Sequence, residues 1–210
     1  MDSEQRTTAS QQNNPELCAK TIRNCADIER DCHFLWNGLS ERLMREVGSA
    51  FRVAAPEAWT VEADESRITV VSPDWKANRG VNQRDAVLDL IDMAESEQEF
   101  SWAAVIAGVP PTKLAIELKF RPGLIPLVQM LKDKEPTVVA MLKAGFQKDP
   151  PTNRFFLPIA IQAEALALGF LENDLHDALL PVREVVALAI SHKTELDALI
   201  EHVRNEAKRK

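Results

Sequence analysis

The chain has 210 residues, of which 45% are hydrophobic and 27% are charged, and its formal net charge is -7. This balance is typical of a globular protein that buries enough apolar surface to offset the loss of chain entropy on folding. The acidity belongs to residues 1–110, which carry 11 basic and 19 acidic groups. Proteins that bind nucleic acid usually carry clustered lysine and arginine. Here the basic cluster is Arg204, Lys208, Arg209 and Lys210, where cations complement the negative end of a helix dipole, so nucleic-acid binding is not expected.

Residues 1–14 are polar and lack the basic and apolar regions of a secretory signal, so we expect a disordered leader. The longest apolar stretch, residues 102–111, is far shorter than the about 20 residues that cross a bilayer. These features predict a cytoplasmic protein without a membrane segment. Short connections between elements favour a bacterial or phage source.

A long helix is predicted over residues 15–48, because Pro15 suits a helix start and Gly48 can end a helix. Three cysteines recur on it at intervals of seven residues: Cys18, Cys25 and Cys32. On a helix they share one face but lie about 10.5 Å apart. This separation excludes a shared metal ion, whose sulfur ligands all lie about 2.3 Å from it. It also excludes a disulfide bond within the helix, because the Cα atoms would have to lie within about 7 Å.

The cysteines belong to an apolar stripe that continues through Ile22, Ile28, Leu35, Trp36, Leu39 and Leu43. One interpretation is that the cysteines are small buried residues packed in the core. The other is a heptad seam that pairs with a second chain, which gives a homodimer through the N-terminal helix. Thr21, Glu29 and Arg42 interrupt this seam. A protein partner bound at the helix would contact Cys18, Cys25, Cys32 and Leu39.

A β-sheet is predicted over residues 56–122, where apolar and polar residues alternate with period 2. Its first two strands form a hairpin around the turn Asp64-Glu65-Ser66. Residues 86–93 fit either a helix or a strand, and we favour a strand because a meander follows. The predicted strands are residues 59–64, 67–73, 86–93, 100–107 and 112–121.

Helical patterns predominate from residue 123. Short helices are predicted at residues 124–132 and 137–145. Residues 154–161 fit a buried strand interrupted by Pro158, or an extended segment. A final helix is expected to dock on the core through Leu196, Leu199, Ile200 and Val203, which repeat at helical spacing.

The fold class predicted from these elements is α+β. An antiparallel sheet of about four to five strands is preceded by a long N-terminal helix and followed by a C-terminal helical region. Residues 15–210 are expected to form a single domain, in which residues 15–48 are helix, 56–122 are sheet and 123–210 are mainly helical.

A pair of charged residues, Glu117 and Lys119, projects from one face of the last predicted strand. Asp89 and Asp92 lie on the segment before it. An acidic residue on one strand followed by Glu-x-Lys on the next resembles metal-dependent nucleases of the PD-(D/E)XK type. The resemblance implies that the carboxylates hold a divalent ion such as Mg²⁺ and that the lysine stabilises the attacking water. The other interpretation is the solvated face of an amphipathic strand, where charges often alternate.

An aromatic side chain in a polar segment, Trp75 in DWKANRG, has two interpretations. Exposed tryptophan beside charged residues often marks a contact with a protein partner. The alternative is that the indole folds back over the sheet and is buried there.

Sequence signatures of phosphate-binding loops, nucleophile elbows, paired-histidine zinc helices and Cys-x-x-Cys sites are missing. We therefore expect a non-enzymatic protein that binds another protein: a small acidic accessory subunit, an inhibitor or a chaperone-like adaptor, with no cofactor and no metal. Its helix, sheet and helix plan is similar in general outline to secretion chaperones. The nuclease, with Asp89, Asp92, Glu117 and Lys119 as catalytic residues, is the alternative function.

Overall fold

A computed structural model describes residues 15–75, 84–93, 99–150 and 152–209. In these ranges the chain forms a six-stranded antiparallel sheet with helices before, within and after it. The α+β class is therefore confirmed, with six strands in place of the four or five expected. The predicted leader, residues 1–14, lies outside the described residues.

The N-terminal region is helical, as predicted, but extends past Gly48. It consists of α1 (Pro15–Arg23), α2 (Cys25–His33), a π-helical turn (Phe34–Leu39) and α3 (Ser40–Ala54). The prediction that Gly48 ends the helix is wrong. A Cβ atom at Gly48 would lie 2.9 Å from the Cβ of Ala63. Glycine therefore allows α3 to approach the sheet closely, and the helix runs on to bury Phe51.

The sheet contains β1 (Thr60–Ala63), β2 (Ile68–Val71), β3 (Ala86–Asp92), β4 (Leu114–Phe120), β5 (Gln147–Lys148) and β6 (Phe155–Pro158). Its strand order is β1-β2-β3-β4-β6-β5, and every neighbouring pair is antiparallel. The predicted hairpin is confirmed, as are the strands at residues 86–93 and 112–121. Of the two interpretations of residues 154–161, the strand describes the structure. The two-residue strand β5 was not predicted, since it is too short to show a period.

The strand predicted over residues 100–107 is wrong, because this segment forms a short helix, α4 (Trp102–Ile106). The Ser101 side chain accepts a hydrogen bond from the backbone N–H of Ala104 at 3.3 Å. This is an N-cap, which satisfies a donor that a helix start leaves unpaired. The helix also buries Ala103, Val105 and Ile106. The Ser101 cap and this burial together stabilise a helix rather than a strand.

The two faces of the sheet differ because successive side chains along a strand point to opposite sides. One face is apolar and packs against α3, as the approach of Gly48 to Ala63 indicates. This face is formed by Ile68, Val70, Leu88, Leu90, Ile116, Leu118, Phe155 and Leu157, all of which are buried. The opposite face carries the polar residues Thr69, Asp89 and Glu117.

The C-terminal half contains α5 (Ile125–Gln129), α6 (Pro136–Lys143), α7 (Ala163–Glu172), α8 (Leu180–Ser191) and α9 (Lys193–Arg209). Helix α8 packs against α3 and against β6, and α9 packs against α5 and α6. The predicted docking of the last helix is confirmed, since its four apolar residues Leu196, Leu199, Ile200 and Val203 are fully buried.

Polar contacts connect α9 to the sheet region. Asp85, just before β3, is buried and accepts hydrogen bonds from Arg204 Nε at 2.6 Å and Arg121 Nε at 2.7 Å. The indole nitrogen of Trp75 donates to Asp197 at 2.7 Å. Charge-assisted hydrogen bonds of this kind are about twice as strong as neutral ones. Within the described ranges, no helix has the length and apolar composition needed to cross a membrane.

Candidate functional site: a helical arm and a carboxylate cluster

The N-terminal helices form a segment that we call the helical arm and define as residues 15–39. Side chains from Lys20 to Phe34 are all exposed. Helix α2 has no buried residue, and the π-helical turn has none either. Among the residues that the structure describes, the helical arm therefore contacts the body of the protein mainly at its C-terminal end.

Local interactions make small contributions to the helical state of the arm. Pro15 occupies the first turn, where its missing N–H is not needed. Asp27 and Arg30 form an ion pair at 2.8 Å across one turn. The backbone hydrogen bond from Ile28 N to the carbonyl of Asn24, at 2.9 Å, carries the helix across the junction of α1 and α2. Such contacts stabilise a helix only by a few tenths of a kcal/mol each, about 0.2–0.5 for a charged pair.

One buried hydroxyl attaches the helical arm to the body of the protein. Ser40 Oγ donates to the carbonyl of Leu35 at 2.6 Å and accepts from the backbone N–H of Ala103 at 3.1 Å. Ser40 is buried, and Leu35 and Leu39 are half-buried beside it. The junction thus connects the π-helical turn to α4 and sets the direction in which the helical arm leaves the core.

The N-terminal part of the apolar stripe predicted on this helix is exposed to solvent: Ile22 is 76% exposed, Trp36 45% and Ile28 42%. Phe34, which is not part of the predicted stripe, is 60% exposed, whereas Leu43 at the end of the stripe is buried. Cys25 and Cys32 are also exposed, so their interpretation as buried core residues is wrong in this single chain. The side chain of Cys18 lies outside the described residues, although its backbone belongs to α1. Leu39, also predicted to contact a partner, is half-buried at the base of the helical arm.

The second candidate site is a carboxylate cluster on the polar face of the sheet, formed by Asp89 and Glu117 with Arg67, Lys119 and Arg154. Asp89 on β3 is directly opposite Glu117 on β4 in the strand register. Both residues are buried, with 2% and 7% of their surface exposed. The expectation of a solvated strand face is therefore wrong for Glu117 and correct for Lys119, which is exposed.

The Asp89 carboxylate is neutralised by two cations. Arg67 donates from Nε to one oxygen at 3.1 Å and from its terminal nitrogen to the other at 3.2 Å. Lys119 Nζ donates to the second oxygen at 2.8 Å. Both cations are about half exposed, so Asp89 is tied into an ion-pair network at the edge of solvent.

Glu117 has weaker compensation than Asp89. Its closest cation is Arg154, with a terminal nitrogen 3.7 Å from Glu117 Oε2. Burial raises the pKa of Glu117 above the ordinary range of a glutamate, and the nearby charges of Arg154 and Lys119 only partly oppose this shift. The protonated form of Glu117 is thus favoured more than that of an exposed glutamate.

A cavity of about 530 Å³ opens beside this cluster. Its lining includes the charged residues Asp89 and Lys119 and the aromatic residues Phe100 and Trp102. Charged and aromatic side chains around one cavity are a combination that can hold a small polar ligand.

The remaining predicted site residues are not members of this cluster, although Asp92 lines the same cavity. Asp92 lies at the end of β3, where its carboxylate accepts a hydrogen bond from the backbone N–H of Lys113 at 2.9 Å. Trp75 is 1% exposed and packs edge-on against Trp59, with ring centroids 5.2 Å apart. Its side chain therefore offers almost no surface to a protein partner, and the buried alternative describes it. Most of the polar segment that follows it, residues 76–83, lies outside the described residues.

Two members of the cluster, Arg67 and Arg154, were missed by sequence reasoning. Arg67 comes directly before β2 and could have been found, because it lies two residues from Thr69 and so faces the same side of the sheet as Asp89. Arg154 directly precedes β6, and no local pattern places it beside Glu117. In the described part of the chain, histidine, cysteine, aspartate and glutamate form no group of three or more that could hold a metal ion.

Comparisons with known proteins give no relative. No protein-family model matches the chain, and neither the curated proteins nor the solved structures include a significant match. Functional inference therefore depends on the helical arm and the carboxylate cluster themselves.

Proposed function

We propose that this chain is a non-enzymatic protein that binds another protein chain through its helical arm. The observation that carries this proposal is the exposure of four large apolar side chains, Ile22, Ile28, Phe34 and Trp36, along the helical arm. Exposed apolar side chains that are concentrated on one segment are typical of interaction sites on soluble proteins. An accessory subunit, an inhibitor or a chaperone-like adaptor would each use such an arm.

The exposed apolar area of the helical arm limits the binding free energy that a partner can gain there. Full burial of one large apolar side chain contributes about 1.5–3 kcal/mol. Four side chains that are roughly half exposed would therefore contribute on the order of 5 kcal/mol. Association costs about 4 kcal/mol or more in lost freedom. A partner must consequently supply a matching apolar surface of its own, which is the mode of recognition seen when one amphipathic helix packs on another.

The test compares charged substitutions on and off the helical arm. Full-length chain and the double variant Ile22→Asp, Ile28→Asp are used as affinity baits in extract of the source cell, and each captured protein is then purified and its Kd measured. Leu171→Asp is the matched control, because Leu171 on α7 is 83% exposed and thus more exposed than Ile22. The captured protein, which can also be a second copy of the chain, should bind the native chain and the control with similar affinity. It should bind the double variant about tenfold or more weakly. If no binding depends on Ile22 and Ile28, the proposal is wrong.

A second candidate function, the metal-dependent nuclease, is favoured by one observation. Asp89, Glu117 and Lys119 are neighbours on one sheet face, since Asp89 is opposite Glu117 and accepts a hydrogen bond from Lys119. This juxtaposition is what the PD-(D/E)XK resemblance requires. Arg67 weighs against it, because its guanidinium already contacts both oxygens of Asp89 where a cation would bind.

Calorimetric titration with Mg²⁺ and Mn²⁺ tests the nuclease. The native chain is compared with Glu117→Ala and with Glu172→Ala, which alters an exposed carboxylate on α7, away from the cluster. Saturable ion binding that Glu117→Ala removes and Glu172→Ala retains, together with cleavage of DNA or RNA, would support the nuclease. Absence of binding in the native chain would eliminate it.

A further inference from the structure

A cavity of about 300 Å³ lies between α3 and the loop that connects α7 to α8. It shares no lining residue with the cavity beside the carboxylate cluster. Helix α3 contributes residues that are one turn apart on one face, among them Arg42, Glu46 and Ala50. The loop contributes Asp174, and the start of α8 contributes Arg183. Charged side chains from three separate segments therefore surround one small space.

Two residues fix the loop that forms one wall of this cavity. Helix α7 ends at Asn173, whose backbone has a φ of 56°, a left-handed conformation that asparagine adopts more readily than most residues. Gly169 allows the loop to fold back, because a Cβ atom there would lie 2.6 Å from the carbonyl oxygen of Asp174. The backbone N–H of Asp174 also donates to the carbonyl of Gly169 at 2.8 Å. This wall of the cavity is therefore held in place by its own backbone.

Arg42 is held beside the cavity by neutral groups. Its guanidinium carbon lies 4.8 Å from the centroid of the Phe170 ring, and a terminal nitrogen donates to Asn173 Oδ1 at 3.0 Å. Glu46 is four residues further along α3, a spacing at which opposite charges commonly pair. In the part of the chain that the structure describes, Arg42 and Glu46 nevertheless form no ion pair. Because a guanidinium has five N–H donors, Arg42 retains charge and donors for an anionic group.

The other charged groups of the lining are not paired with one another either. Among the described residues, Glu46, Asp174 and Arg183 form no ion pair. The carboxylate of Asp174 accepts a hydrogen bond from the backbone N–H of His176 at 2.8 Å. Two guanidinium groups and two carboxylates give the lining a net charge of zero with His176 neutral. Such a lining suits a ligand with one group of each sign, since a ligand of a single sign would meet like charges.

We propose that this cavity binds a small zwitterion, of which a free α-amino acid with an apolar side chain is the simplest example. Arg42 and Arg183 receive the carboxylate, because guanidinium groups form strong charge-assisted hydrogen bonds with carboxylates. Glu46 and Asp174 receive the ammonium group. Ligand binding at this site goes beyond the proposed function of the helical arm, since no lining residue belongs to residues 15–39.

The size and the apolar part of the lining limit the ligand further. A volume of about 300 Å³ is at the lower end of the range of small-molecule sites, about 300–1,000 Å³. Ala50, Leu175 and Leu179 line the cavity and are buried. These residues provide apolar contacts for the side chain of the ligand, while the charged residues orient its two polar groups.

Isothermal titration calorimetry of the full chain tests the site, with L-leucine, L-valine and L-methionine as probes. We expect saturable binding of at least one probe at millimolar concentration, with one ligand per chain. Two analogues of that probe, one with the carboxylate converted to an amide and one without the amino group, should bind about tenfold or more weakly. Absence of saturable binding for every probe overturns the proposal, as does equal affinity for the amino acid and either analogue.

Substitutions test the location of the ligand. Arg183→Gln removes a guanidinium whose side chain makes no hydrogen bond within the described ranges, so this variant should fold normally and bind the probe about tenfold or more weakly. Glu46→Gln should weaken binding similarly by removing a partner of the ammonium group. Arg52→Gln is the matched control, because Arg52 is exposed on α3 and does not line the cavity. Native affinity in Arg183→Gln, or an equal loss in Arg52→Gln, would show that the assigned site is wrong.

Discussion

Asp89 and Glu117 lie opposite each other on adjacent antiparallel strands, and both are buried. The two carboxylates are compensated very differently. Asp89 accepts three hydrogen bonds from Arg67 and Lys119, whereas the nearest cation to Glu117 is at 3.7 Å. Removal of the side-chain charge is therefore expected to raise the stability of the protein at Glu117 and to lower it at Asp89.

Substitution of Glu117 by glutamine should increase stability at neutral pH. Burial raises the pKa of Glu117, so the folded state binds a proton at a higher pH than the unfolded state does. Above the folded-state pKa the ionised side chain reduces stability, and this penalty disappears as the pH falls through that value toward the ordinary pKa of a glutamate. Glu117→Gln removes the penalty, so its advantage over the native chain should be present at pH 7 and decline in acid.

Urea denaturation of both chains from pH 4 to pH 8 measures this difference. Glu172→Gln, on an exposed position of α7, is the control and should follow the native chain at every pH. A Glu117→Gln chain that is less stable than the native chain at pH 7 would show that the ion pair with Arg154 outweighs the cost of burial.

Substitution of Asp89 by asparagine should reduce stability by about 1–3 kcal/mol, the cost of breaking hydrogen bonds to a buried charged group. The loss is limited because Arg67 and Lys119 are half exposed and regain water. Glu62→Gln is the comparison: Glu62 accepts from Arg84 at 2.7 Å, but the pair lies at the surface and should contribute less than about 1 kcal/mol. Denaturant unfolding measures both variants. Equal losses of stability would contradict the conclusion that burial makes the Asp89 hydrogen bonds stronger than the surface pair of Glu62.

Replacement of Gly48 by alanine should reduce stability although alanine is the better helix former. The gain in helix propensity is about 1 kcal/mol, but overpacking costs about 1–3 kcal/mol. The new Cβ would lie 2.9 Å from the Cβ of Ala63, an atom fixed to the sheet backbone. Ser49→Ala, one residue along on the exposed side of α3, should change stability by less than about 0.5 kcal/mol. A higher melting temperature for Gly48→Ala would refute the close packing of α3 on the sheet.

Phe34 and Phe51 should differ sharply when each is changed to alanine. Phe51 on α3 is fully buried, and its loss should cost about 3–5 kcal/mol. Phe34 in the helical arm is 60% exposed, so its loss should cost less than about 1 kcal/mol in dilute protein. Denaturant unfolding of dilute protein gives the comparison. A large loss for Phe34→Ala under these conditions would mean that the helical arm packs on the core.

The sheet was largely predictable because period-2 alternation is a local signal. Leu114, Ile116 and Leu118 alternate with charged or small residues, and the structure places β4 on that segment. Residues 100–107 were mistaken for a strand because a run of small apolar residues fits a strand or a helix equally well. The Ser101 cap favours the helix. The role of Gly48 was missed for a different reason: only the distance to the sheet, a long-range contact, reveals why glycine is needed there.

The candidate sites were predictable to different degrees. The apolar stripe on the N-terminal helix was found from its spacing, but spacing cannot distinguish a face that is buried within the chain from one that is exposed. Pairing of Asp89 with Glu117 follows from strand register, which the sequence only suggested. The approach of Arg154 depends on β6 lying beside β4, a neighbour that is nearly forty residues away in the chain.

The dependence of the sheet on α9 has a consequence for biosynthesis. Leu196, Leu199, Ile200 and Val203 fill the core, and Arg204 neutralises Asp85 at the start of a central strand. The hydrophobic core and the Asp85 ion pair are therefore incomplete until translation reaches this helix. Until then the nascent chain exposes the apolar sides of α5 and α6 that α9 covers in the folded protein, and general chaperones recognise such surface.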